Sequence, residues 1–63
     1  MAFKKDDKVV VKHDNRESQL TAGQNGKVTE VDPKNGRVTV KFNGLSRAIK
    51  FNPSEAEGLL RLK

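Results

Sequence analysis

The sequence predicts an all-β domain of five short strands, with a long first loop and one helical turn before the last strand. Three observations point there. Val, Ile, Thr and Phe gather in short runs between charged residues. Gly, Asn, Asp and Pro punctuate those runs. No stretch carries the 3.6-residue apolar period of a long helix.

Lys8-Val9-Val10-Val11-Lys12 reads as the first strand, three β-branched residues between charges. Residues 13–25 are polar and hold one large apolar side chain, Leu20, which is expected to pin the loop to the core. A loop this long in so small a domain is expected either to be functional or to fold back on itself. The second and third strands, 27–31 and 37–42, flank Asp32-Pro33-Lys34-Asn35-Gly36. Pro33 presets φ for a turn, and Gly36 supplies the positive φ of a hairpin exit. Val38, Val40 and Phe42 alternate with Arg37, Thr39 and Lys41, while Val28 and Val31 stand three apart. A β-bulge is therefore expected near Thr29-Glu30.

Asn43-Gly44 signals a tight turn into a fourth strand, 47–51. In Asn52-Pro53-Ser54-Glu55 the N-cap, the N1 proline and the N3 glutamate of a short helix follow in order. Gly58 is expected to end it after one turn, and the fifth strand is 59–62. The expected inward set is Val9, Val11, Val28, Val31, Val38, Val40, Phe42, Ile49, Phe51, Leu60 and Leu62. Phe3 is expected to cover one end of it. This element order is that of a five-stranded SH3-like barrel, whose closure removes most exposed edges.

Sixty-three residues make one domain, 1–63. A chain this short buries only about 60% of its unfolded surface. It has no cysteine, so neither a disulfide nor a thiolate metal site adds stability, and a reducing compartment fits. The first residues lack the apolar run of a signal peptide, and the longest apolar run, Val9 to Val11, is too short to span a bilayer. A soluble cytoplasmic protein is expected. Thirteen Lys and Arg against eight Asp and Glu give a formal charge of +5, which suits acidic partners as well as solubility.

Lys5-Asp6-Asp7-Lys8-Val9-Val10-Val11, Gly26-Lys27-Val28-Thr29-Glu30-Val31-Asp32-Pro33 and Gly36-Arg37-Val38-Thr39-Val40 together resemble a KOW motif. That resemblance covers the first two-thirds of the chain. It implies an SH3-like barrel that docks on RNA or on the transcription machinery. The loop 13–25 is longer than the glycine-rich loop of that family. Gly26 to Asp32, Val38 to Phe42 and Phe51 through Glu55 to Leu60 are also similar to the E-type SH3-like barrel of photosystem I. That second likeness implies a small basic barrel that docks acidic electron carriers.

The strongest candidate site is a basic outer face. A turn at 32–36 sets Lys27 opposite Lys41 and Thr29 opposite Thr39. A two-residue turn at Asn43-Gly44 sets Arg37 opposite Lys50 and Thr39 opposite Ala48. Like charges directly opposite destabilise a sheet, a cost that a bound polyanion offsets. Lys34 at the hairpin tip and Arg47 extend the stripe. Arg16, Gln19 and Gln24 are candidate loop contacts. With no Trp or Tyr, and with Phe42 and Phe51 needed inside, stacking on bases is not expected. His13 beside Asp14 lacks a second His or Cys to complete a metal or catalytic site, and Asp6-Asp7 is flanked by lysines that suit ordinary ion pairing.

The sequence therefore leads to a non-enzymatic binding module without metal or cofactor. It is expected to contact nucleic acid or a ribonucleoprotein with low sequence specificity, as a monomer or weak homo-oligomer. The alternative is an accessory protein that docks an acidic partner, as the photosystem I likeness implies. A reductase of the small barrel type is disfavoured by the absence of that family's Val-Gln-Ile-Tyr stretch.

Overall fold

The computed structural model describes residues 3–63. Five antiparallel strands form one sheet: β1 (Lys8–Val11), β2 (Asn25–Val31), β3 (Val38–Phe42), β4 (Ile49–Phe51) and β5 (Leu60–Leu62). A helix, α1 (Pro53–Leu59), joins β4 to β5. The strand order is β4-β3-β2-β1-β5, so α1 carries the chain from one edge of the sheet to the other. No ladder joins β4 to β5, and the sheet is open rather than a closed barrel. It nevertheless curls. Four inter-strand gaps span about 19 Å on a flat sheet, whereas the seven residues of α1 rise about 10 Å. Phe51 on one edge strand and Leu60 on the other also enter one core.

The central hairpin forms as its residues dictate. The Asp32 carboxylate accepts the Lys34 N–H at 2.8 Å, and the Asp32 carbonyl accepts the Gly36 N–H at 2.8 Å. Gly36 has φ +74°, and the Arg37 N–H donates to the Asn35 side-chain oxygen at 2.9 Å. The expected bulge is present. Val28 pairs with Val40, but Glu30 pairs with Thr39, which leaves Thr29 as the extra residue. Thr39 thus faces Glu30 rather than Thr29. The bulge lets Val28 stay fully buried while Val31 is half-buried.

The second register differs from expectation. Thr39 pairs with Lys50 and Val40 with Ile49, so Arg37 does not face Lys50, and Thr39 does not face Ala48. Asn43-Gly44 is not a two-residue hairpin loop. A turn closed by Leu45 N–H to the Phe42 carbonyl at 3.3 Å, with Gly44 at φ +88°, opens a longer connection. β4 therefore starts at Ile49, two residues later than expected.

The long loop folds back on itself. Asn15 and Leu20 exchange both backbone hydrogen bonds at 2.8 Å, and Leu20 is buried. The Asp14 carboxylate accepts the Ala22 N–H at 2.8 Å. The Gln24 amide is used at both ends, accepting from Thr21 N–H at 3.1 Å and donating to the Asn43 carbonyl at 2.7 Å.

Helix α1 starts as its sequence requires, with the Glu55 carboxylate accepting the Asn52 N–H at 3.2 Å. It runs through Gly58 to Leu59, because Ala56 and Leu59 are buried and packing outweighs the poor helix propensity of glycine. The core is Phe3, Val9, Val11, Leu20, Val28, Val38, Val40, Phe42, Phe51, Ala56, Leu59 and Leu60. Phe42 and Phe51 meet edge to face with centroids 6.0 Å apart. Ile49 is half-buried beside this core, and Leu62 is 43% exposed rather than inward.

Candidate anion-binding surface

Alternation puts Lys8, Lys27 and Lys41 on the outer face, each next to a buried residue of its own strand. The ladders then align them. Lys8 pairs with Lys27, and Lys27 pairs with Lys41. The Lys63 N–H donates to the Lys8 carbonyl at 2.9 Å, continuing the Val9–Leu62 pairing and setting Lys63 beside Lys8. Neighbouring strands lie about 4.8 Å apart, so Lys8 to Lys41 spans about 10 Å and the four lysines about 14 Å.

An open depression of about 250 Å³ lies along this row, lined by Lys8, Asn25, Gly26, Lys27, Asn43 and Lys63. Gly26 is part of its lining, and on the core side of that residue a side chain has no room. A Cβ would stand 2.7 Å from Phe42 Cδ1 and 3.0 Å from Val40 Cγ1.

The lysines are not equivalent. Lys27 Nζ lies 3.7 Å from an Asp6 carboxylate oxygen, both side chains being more than half exposed. Asp6 is placed there by a local turn at φ +73°, with its N–H on the Val28 carbonyl at 2.8 Å. Exposed pairs of this kind contribute little. Lys41 Nζ donates to the Leu45 and Phe42 carbonyls, so its ammonium leans toward the turn at 42–45. Among the described residues, Lys8 and Lys63 make no ion pair.

The other expected residues lie elsewhere. Arg37 precedes β3 on the parity of Lys41, but four residues, about 13 Å, away along the strand. Lys34 is exposed at the hairpin tip beyond it. Lys50 shares a row with Thr39 and Glu30, so that row carries both signs of charge. It also borders a depression with Glu17 and Glu55. Arg47 and Gln19 line a third depression of about 360 Å³ with Glu17, Leu45 and Ile49. Arg16 is exposed in the long loop, its carbonyl accepting the Gln19 N–H at 3.2 Å. Of the expected stripe, the structure brings Lys27 and Lys41 together and separates Arg37, Lys34, Arg47 and Lys50 from them.

Lys8 and Lys63 complete the row without belonging to the expected set. The signal for Lys8 is its outward parity opposite Val9 and Val11. Its neighbour across the ladder is decided by the β1–β2 register, which the folded loop 13–24 sets. His13 and Asp14 are exposed, and Asp14 is occupied in the loop. Among the described residues, no helix is long and apolar enough to cross a membrane. Family models, curated proteins and solved structures were each compared with this chain, and none matches it.

Proposed function

We propose that this protein is a non-enzymatic cytoplasmic docking module for the phosphate backbone of nucleic acid, free or within a ribonucleoprotein. On this reading it works as small barrels of the KOW type do, which its sequence resembles. A single observation supports this most strongly: three lysines in direct register across β1, β2 and β3, with a fourth beside them. Cross-strand like charges cost the free protein stability, and a polyanion removes that cost. Phosphate contacts from flexible ammonium groups confer little base preference. Lys34, Arg37, Arg47 and Lys50 serve as outlying contacts, and Arg16 and Gln19 as loop contacts, whereas the Gln24 amide is committed to Thr21 and Asn43.

An acidic protein partner is the second reading, favoured by Arg47 beside the half-buried Leu45 and Ile49. Fluorescence anisotropy with a short duplex, a single-stranded RNA and an acidic protein separates the two. With Lys8, Lys27 and Lys63 engaged, log K should fall with log salt at a slope of about −2 to −3. Failure of both nucleic acids to bind at low salt, with saturable binding of the acidic protein, would transfer the role to protein docking.

A further inference from the structure

The chain contains three Asn-Gly pairs: Asn25-Gly26, Asn35-Gly36 and Asn43-Gly44. Asparagine before glycine is chemically labile because no side chain shields the next backbone nitrogen from the asparagine carboxamide. The attack needs a free carboxamide and a backbone N–H that is not held elsewhere. The structure withholds both at Asn35, and at Asn25 it holds the glycine backbone in the sheet. At Asn35 the side-chain oxygen accepts the Arg37 N–H at 2.9 Å, and the Gly36 N–H is held by the Asp32 carbonyl at 2.8 Å. Asn25-Gly26 lies inside β2, laddered to β1 and β3, with Gly26 buried under Phe42.

Asn43-Gly44 has neither restraint. Asn43 is anchored through its backbone, its N–H on the Asn25 carbonyl at 2.9 Å and its carbonyl on Gln24 Nε2 at 2.7 Å. Among the described residues its side chain and the Gly44 N–H make no hydrogen bond. Both residues are exposed, and nothing stands within 4 Å of the Gly44 Cβ position. Asn43 also lines the depression between Lys8, Lys27 and Lys63.

We propose that Asn43 is a site of spontaneous deamidation that places a carboxylate beside the lysine row. The Gly44 nitrogen bonds to Asn43 Cγ as its proton is lost, and the side-chain amide leaves as ammonia. Water then opens the cyclic imide at either carbonyl, giving aspartate or isoaspartate at position 43. The rim of the depression gains one negative charge, and the surface loses anion affinity as the protein ages. This last consequence rests on the nucleic-acid role proposed above, whereas the chemistry at Asn43 does not.

The test incubates the folded protein at mildly alkaline pH and follows tryptic peptides by mass spectrometry. Peptide 42–47 carries Asn43, 35–37 carries Asn35, and 17–27 carries Asn25. Peptide 42–47 should gain the mass of NH₂ replaced by OH several-fold ahead of the other two. In denaturant the three should convert at similar rates. Equal rates in the folded protein, or faster conversion at Asn35 or Asn25, would overturn the assignment. Separately, Asn43→Asp should bind a short single-stranded RNA about two- to five-fold more weakly at low salt, and Asn43→Gln, which adds no charge, should weaken it less. Selective conversion with no effect of Asn43→Asp would keep the modification site and remove its link to binding.

Discussion

Lys8 carries the clearest consequence at the scale of one residue. It faces Lys27 directly and has Lys63 beside it, with no acidic partner among the described residues. Lys8→Gln should therefore stabilise the free protein by about 0.2–0.5 kcal/mol at low salt, an effect lost at high salt, while weakening nucleic-acid binding. Urea denaturation and anisotropy on the same variant read the two signs. A merely solubilising lysine would leave binding unmoved. Gly26 is constrained by space rather than by φ. Gly26→Ala sets a Cβ 2.7 Å from the fully buried Phe42 ring and should cost about 1–3 kcal/mol in urea denaturation. The sequence carries Lys27 opposite Lys41 legibly, because hairpin residues 32–36 fix that register. Nothing local fixes Lys8 or Lys63 in the same row, since both depend on contacts distant along the chain.

At the scale of elements, what was legible follows turn chemistry. Pro33 and Gly36 specify the central hairpin, and the broken Val28–Val31 spacing specifies the bulge at Thr29-Glu30. Asn43-Gly44 misleads because the same dipeptide serves a tight hairpin and the turn seen here, where only Gly44 has positive φ. The resulting two-residue shift keeps every side chain on its face, so alternation alone does not reveal it. It separates Arg37 from Lys50 and places Lys50 in a row with Glu30. Helix α1 is specified at its start and under-specified at its end, where burial of Leu59 carries it past Gly58. Glu55→Ala removes the acceptor of the Asn52 N–H and should cost about 0.5–1 kcal/mol, read by thermal denaturation.

For the whole molecule, one small core must hold the curled sheet. Phe42 is fully buried and meets Phe51 edge to face across the sheet. A domain of this length has about 3–9 kcal/mol of stability, and Phe42→Ala should remove about 3–5 kcal/mol of it. The melting temperature of that variant should fall by about 10 °C or more by circular dichroism. Of thirteen cations, the curled sheet gathers four lysines into one row, while Arg47 and Lys50 stand among acidic neighbours. The most direct measurement is an NMR titration of the folded protein with a short single-stranded RNA at low salt. Shifts should concentrate at residues 8, 25–27, 41–43 and 63 and vanish as salt rises. Shifts confined to the hairpin tip at 32–37, or no shifts at all, would contradict a phosphate-docking role for the lysine row.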